Sequence, residues 1–279
     1  MKVVKTIKLY INGEFVRTES GRSYSYNVAG KNTQFARLCQ ASRKDFRNAV
    51  ESSKEGFKSW ASKTAYNKSQ ILYRMAEMTE GKRHEFEELF MEALGKTQGE
   101  ATAMVDSAID TFVYYSGFCD KFHQIAGSIN PVAGPFHNFT HIEGVGVTTL
   151  VEDDEFDFQK LVDSICSILT GGNSVIVLLG EGCPAVLGPL AEVFATSDLS
   201  NGTVNILSGH LDELRDYIAQ HREVRSVSFQ SSREDVFHDM KQKSTDNMKR
   251  MIPRHKKQKC LENILNFVEY KTVWHPVGY

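Results

Sequence analysis

Apolar positions change rhythm along the chain, and each rhythm predicts a different element. The run LYINGEFVR, from Leu9 to Arg17, alternates apolar and polar side chains around Asn12-Gly13. Both central residues tolerate positive φ, so a tight β-hairpin is expected. From Ser42 the spacing becomes helical. Ser42 can cap a first helix with Asp45 three residues on, and Phe46, Ala49, Val50, Phe57 and Trp60 share one face. Ile71, Leu72, Met75 and Met78 mark a second helix, predicted to continue past Phe86 and Leu89. Val105, Ala108, Ile109 and Phe112 mark a third, and Gly127 and Pro131 close the stretch.

From Gly144 the rhythm changes again. GVGVTTLV reads as a strand, and Phe158, Leu161, Val162, Ile165 and Leu169 as a helix face. SVIVLL is a short continuous apolar run of the kind found in strands covered on both sides. A helix from about Pro184 to Ala195, the strand TVNIL, a helix over Leu211 to Ala219 and the strand VRSVSF follow. Strand-helix repetition with short links predicts a parallel, doubly wound sheet. The chain then turns polar and basic (KRMIPRHKKQK). LENILNFVEYKTVWHP regains apolar character and is expected to dock or pair as a terminal strand. The expected fold class is α/β: a helical N-terminal part plus a doubly wound parallel sheet. The segments are a β-rich lead over 1–41, a helical part over 42–143, the parallel sheet over 144–232, and a basic connector with a terminal strand over 233–279.

Charge and cysteine usage narrow the function. Charged residues are 24% of the chain and the formal net charge is -2, so no global basic field points to nucleic acid. The basic stretch Lys249 to Lys259 lacks interleaved aromatics for base stacking. Cys39, Cys119, Cys166, Cys183 and Cys260 are odd in number and widely spaced. That is no disulfide framework, and with the scattered histidines it makes no metal site. No apolar run nears the ~20 residues of a membrane span. The start, MKVVKTIKLYING, has no signal-peptide core. A cytoplasmic protein with reduced thiols is expected, with no nucleic-acid or membrane partner.

Several blocks carry a family resemblance. LYINGEFVRTESGR is similar to the opening hairpin of the aldehyde dehydrogenase superfamily. ASRKDFRNAVESSKEGFKSW resembles its first helix, and AIDTFVYYSGFCDKFHQIAG the helix before its cofactor strands. TGGNSVIVLLGEGCP, LAEVFATSDLSNGTVNILSG and HREVRSVSFQSS resemble three successive cofactor-domain blocks. The order and spacing of six blocks, over about Lys8 to Ser232, carry the resemblance. KTVWHPVG resembles the close of the truncated second module of two-module aldehyde dehydrogenases, or of its stand-alone form.

The resemblance also shows departures at the family's functional motifs. Where active members have Pro-Trp-Asn-Phe-Pro, this chain has Asp153-Asp154-Glu155-Phe156-Asp157. Glu155 takes the place of the Asn that donates to the developing oxyanion, and a carboxylate cannot donate. With Glu152, the run reads most simply as a solvated acidic turn. Where the family has Lys-Pro-Ser-Glu, this chain has Leu178-Leu179-Gly180-Glu181. The ribose-holding Lys becomes Leu178, while Glu181 matches the retained acid. Where the family has Phe-Thr-Gly-Ser-Thr-Glu-x-Gly at the pyrophosphate, Ser231 and Val236 replace both glycines. Ser232 and Arg233 remain able to reach an anion. No Glu-Leu-Gly-Gly or Gly-Gln-x-Cys block occurs. Cys260 is the one cysteine downstream; Lys257 and Lys259 beside it would lower its pKa, yet a structural thiol is the simpler reading.

These departures imply a non-catalytic homologue whose catalytic domain is missing. No catalytic and no metal-binding residue is assigned, and the cofactor-binding candidates are Glu181 and Ser232. No resident cofactor is expected, and NAD or NADP would be held weakly at most. The implied role is an assembly or regulatory subunit. The partner would be a full-length aldehyde dehydrogenase or a second copy, giving a homo-oligomer or hetero-oligomer. The alternatives are an NAD(P)-dependent aldehyde oxidoreductase whose site a partner chain completes, and a nucleotide-sensing module.

Overall fold

A computed structural model describes residues 4–255 and 257–278; Met1 to Val3 of the lead, Lys256 of the basic stretch and Tyr279 lie outside them. Among the described residues the chain opens with β1 (Thr6–Ile7), β2 (Leu9–Ile11), β3 (Glu14–Val16), β4 (Ser23–Asn27) and β5 (Gln34–Cys39). Helices α1 (Arg43–Ala61), α2 (Ala65–Gly81), α3 (Arg83–Leu94), α4 (Gln98–Ser116) and α5 (Phe122–Ala126) follow, then β6 (Ser128–Asn130) and β7 (Phe136–Gly144). The alternating part runs β8 (Val147–Glu152), α6 (Phe158–Thr170), β9 (Ser174–Leu179), α7 (Leu187–Ala195), β10 (Val204–Ser208), α8 (Leu211–Gln220), β11 (Val224–Phe229), α9 (Glu234–Lys243) and β12 (Arg250–Ile252). α10 (Leu261–Leu265) and β13 (Val268–Pro276) complete it.

The main sheet has the order β12-β11-β8-β9-β10-β2-β3. From β12 to β10 neighbouring strands are parallel, and β2 joins antiparallel to β10. β8 and β9 are buried along their whole length. Their side chains alternate between two cores, as the period of a strand requires. Val175, Val177 and Leu179 pack with α2, α3, α4, α6 and α7, whereas Ile176 and Leu178 pack with α1, α8 and α9. The expected α/β, doubly wound architecture is present.

The lead is β-rich as expected. Its hairpin turns through Asn12 (φ 56°) and Gly13 (φ 79°) and extends the main sheet. Asn205, fully buried in β10, fastens it: its Oδ1 accepts Asn12 N–H at 2.8 Å, and its Nδ2 donates to Ser53 Oγ at 2.8 Å. Ser42 and Asp45 form the expected capping box on α1. Further along α1, Gly56 meets the loop before β10 so closely that a Cβ would lie 2.2 Å from the Gly202 carbonyl carbon. Helix propensity favours alanine over glycine by up to about 1 kcal/mol. A backbone clash outweighs that gain, so Gly56→Ala should lose about 1–3 kcal/mol in a denaturant titration. A stabilised variant would show that this contact gives way freely.

Three expectations need correction. The second helix does not run past Phe86 and Leu89: Lys82 (φ -103°, ψ 12°) breaks it into α2 and α3. The part expected to be helical over 42–143 ends in strands β6 and β7, which pair with β13 in a separate three-stranded sheet. The segment over 233–279 is no simple connector, since it supplies α9 and β12 to the main fold. Lys249 is buried there and donates to the carbonyls of His221 (2.7 Å) and Val224 (2.8 Å). Burial, with Arg225 nearby, lowers its pKa to about 8. No helix among the described residues is long and apolar enough to cross a membrane.

Candidate functional site

The direction of winding reverses at β8. β9 and β10 are added on one side and β11 and β12 on the other, so the C-terminal ends of β8 and β11 flank a topological switch point. Ligands of open α/β sheets bind at such crevices. A cavity of about 750 Å³ opens there, between Phe229, Ser232 and Phe237 on one wall and Lys160, Pro253 and Arg254 on the other.

The acidic run after β8 dominates this edge, and it is not the expected solvated turn. Glu152 and Asp153 are each only 5% exposed. The Asp153 carbonyl accepts the amides of Glu181 (2.6 Å) and Gly182 (2.8 Å). Gly180 is needed beside it, because a Cβ there would meet Asp153 Oδ1 at 2.1 Å. Arg233 bridges Asp153 (3.2 Å) and Asp212 (2.8 Å), and Arg254 pairs with Glu155 at 2.5 Å. Asp157 caps α6 by accepting the Lys160 amide at 3.1 Å.

Asp154 reaches across the switch point. Its carboxylate accepts the Ser232 backbone amide at 3.0 Å and the Ser232 hydroxyl as well. Partial burial alone would raise its pKa. The bonds from Ser232 and Ser231 and from the backbone outweigh that and hold it at about 2. Asp153 moves the other way, raised by burial against the pull of Arg233. Glu152 is raised well above an ordinary carboxyl by burial first and by Asp157 next, and its Oε2 has no hydrogen-bond partner. The edge thus sets an acid whose burial favours its neutral form next to a carboxylate held ionised by the Ser232 donors.

The candidate residues separate. Glu181 is exposed on the loop after β9, and Ser232 is exposed after β11, on the other side of β8. The amide and hydroxyl of Ser232 are engaged by Asp154. Leu178 is 1% exposed and Val236 1% exposed, both in the core shared with α1 and α8. Their apolar side chains serve packing. Ser231 is buried and accepts the Arg233 amide at 3.2 Å. Cys260 precedes α10 and is not on the lining of this cavity. Its thiol is raised by burial, not lowered by lysines as expected; Lys259 Nζ pairs instead with Asp110. Among the described residues no group of three His, Cys, Asp or Glu could hold a metal ion.

The Asp154–Ser232 pair spans 78 positions, so no local pattern announces it. The one signal was the density of acids from Glu152 to Asp157, which exceeds what a surface turn needs.

Comparisons with known proteins agree with this architecture. The profile of the Aldehyde dehydrogenase family matches residues 15–253. The 1-pyrroline-5-carboxylate dehydrogenase of Bacillus cereus (strain B4264) is 30% identical over 227 residues, which are 81% of this chain and 43% of that protein. Cytosolic 10-formyltetrahydrofolate dehydrogenase of Xenopus tropicalis is 28% identical over 253 residues, 88% of this chain and 28% of the relative. The solved NAD+ complex of an aldehyde dehydrogenase from Bacillus cereus superposes with a TM-score of 0.83 at 25% identity, covering 89% of this chain and 50% of that one. The chain therefore spans half or less of the length of these relatives.

Proposed function

The chain belongs to the aldehyde dehydrogenase family, and we propose that within it the protein acts without chemistry of its own, as an assembly or regulatory subunit of a catalytic aldehyde dehydrogenase. The observation that carries this reading is the Asp154 carboxylate on the Ser232 amide and hydroxyl. In the family motif this loop faces a dinucleotide pyrophosphate. Here an internal anion takes its donors. A phosphate would have to break charge-assisted bonds worth about 1.5–3 kcal/mol each and would then meet Asp153 and Glu155. The residues present do not fit NAD or NADP, and no hydride-transfer step follows from them.

A second feature supports assembly. The three-stranded sheet of β6, β7 and β13 leaves Ile129, Phe136, Tyr270, Val273 and Trp274 exposed, with Trp274 58% accessible. β13 is buried only at Val268, and it offers an open strand edge nine residues long. Exposed apolar patches and open edges favour pairing with another chain. The occupant proposed is a full-length aldehyde dehydrogenase, which shares the fold to which this sheet belongs. Five free thiols suit the cytoplasmic setting of that reading.

The test is co-purification from the cells that make the protein. A full-length aldehyde dehydrogenase should be recovered in stoichiometric amount with the wild-type chain and lost with Trp274→Asp. Millimolar NAD or NADP should leave the fluorescence of the isolated chain unchanged. Saturable dinucleotide binding, or recovery of the chain alone or with copies of itself, would overturn the proposal.

A further inference from the structure

The opposite end of the sheet holds a cavity unrelated to the cleft just described. It measures about 330 Å³, within the range of small-ligand sites. It lies beside Gly144, which ends β7, and Gly171-Gly172, which precede β9. The first turn of α2, the end of α1 and α5 supply the other walls.

Lys68 lies in that first turn and lines the cavity while only 9% exposed. Two effects oppose a cation here. The positive end of the α2 dipole is the wrong place for one, and burying an ammonium without a counter-ion costs several kcal/mol. Among the described residues no carboxylate forms an ion pair with it. Glu143, the one acid on the lining, is committed to Lys271 and to His141 at 3.1 Å. Cys119, also on the lining, supplies no charge, because burial pushes its thiol up to about 12. The Trp60 ring, 5.9 Å from Nζ, offers a cation–π contact worth about 0.5–2 kcal/mol. The C-terminal turn of α6 adds about half an elementary charge. Neither equals a counter-ion.

A second group points the same way. Thr170 is 1% exposed and its hydroxyl meets no partner at hydrogen-bond geometry; its nearness to the Cys119 thiol only opposes the rise that burial causes there. It lines the same cavity as Lys68, and Lys63 and His123 add positive or protonatable groups to the lining.

We propose that this cavity binds a compact oxyanion, a phosphate or a carboxylate, which accepts from the Lys68 ammonium and the Thr170 hydroxyl. The anion supplies the charge Lys68 lacks and the acceptor Thr170 lacks. The site is independent of the dinucleotide cleft, from which the length of the parallel strands separates it. Burial lowers the Lys68 pKa, so binding weakens as pH rises and the amine loses its proton.

The experiment is titration of the full chain with sodium phosphate, sulfate or acetate against sodium chloride at matched ionic strength, read by calorimetry and unfolding midpoint. A saturable rise in midpoint is expected. Phosphate and sulfate acting alone would mark a tetrahedral oxyanion site, and acetate acting as well would mark a carboxylate site. Lys68→Met should abolish the rise while remaining as stable as wild type without anion. Thr170→Val should weaken binding about tenfold, the equivalent of one lost hydrogen bond, and keeps the test open if Lys68→Met fails to fold. No rise beyond chloride, or an unchanged rise in both variants, would overturn the proposal.

Discussion

Asp163→Ala should remove about 3–5 kcal/mol of stability, the cost of leaving several buried donors without their acceptor. Asp163 is fully buried on α6. Its Oδ1 accepts the Tyr115 hydroxyl at 3.0 Å and the Lys259 amide at 2.6 Å. Its Oδ2 accepts Asn263 Nδ2 at 2.9 Å, and His255 Nε2 stands 3.2 Å away. One carboxylate therefore ties α4 and α6 to the segment that leads into α10 and β13. Alanine would leave donors from three elements without an acceptor. Asp163→Asn keeps one acceptor and should lose distinctly less. Urea unfolding gives the free energies, and hydrogen exchange should show residues 257–263 opening before the sheet in the alanine variant. Loss of under about 1 kcal/mol would mean that water or a neighbour replaces the carboxylate, and the cluster would not hold the segment.

Most of the fold was legible because its elements rest on local periodicity. SVIVLL is apolar at every position, and β9 is buried on both faces. Ser42 and Asp45 predicted a capping box, and Asn12-Gly13 a turn with two positive φ values. What escaped depends on distant partners. Arg250 to Ile252 look like part of a basic linker until β11 provides a strand to pair with. β7 was hidden because FHNFTHIEG mixes polar and apolar residues, being half exposed on a small sheet. At the cleft, the departures at Leu178, Ser231 and Val236 were visible in the sequence. Their physical meaning was not: Leu178 and Val236 turn into the core, and the Ser232 amide is taken by Asp154 from 78 residues away. Lys68 was illegible for a related reason, since a lysine in a first helical turn is normally solvated, and only the packing of five elements buries it.

The acidic edge leads to a second large effect, with a sign opposite to that of ordinary carboxylates. Glu152→Gln should stabilise the protein at neutral pH, and increasingly so as pH rises. The Glu152 side chain is buried at the end of β8, where burial and then Asp157 raise its folded pKa; Arg254 and Lys160 offset this only in part. Below the unfolded pKa, near 4.5, both states carry the proton and the carboxyl adds no pH-dependent cost. Above it the unfolded chain ionises while the folded protein keeps the proton. Stability then falls by about 1.4 kcal/mol per pH unit until the folded pKa is reached. Glutamine is nearly isosteric with the protonated acid and removes that loss. The variant and the wild type should thus unfold at the same temperature near pH 4 and diverge as pH rises above the unfolded pKa. Asp154 contributes in the opposite sense. Its folded pKa of about 2 lies below that of an unfolded aspartate, so its stabilisation is present above about pH 4 and is lost as pH falls toward 2. Asp154→Asn should accordingly lower stability at neutral pH and have little effect at pH 2. A Glu152→Gln midpoint shift that does not change between pH 4 and pH 8 would show that Glu152 is ionised in the folded protein. The cleft would then hold more negative charge still, a further obstacle to a phosphate ligand.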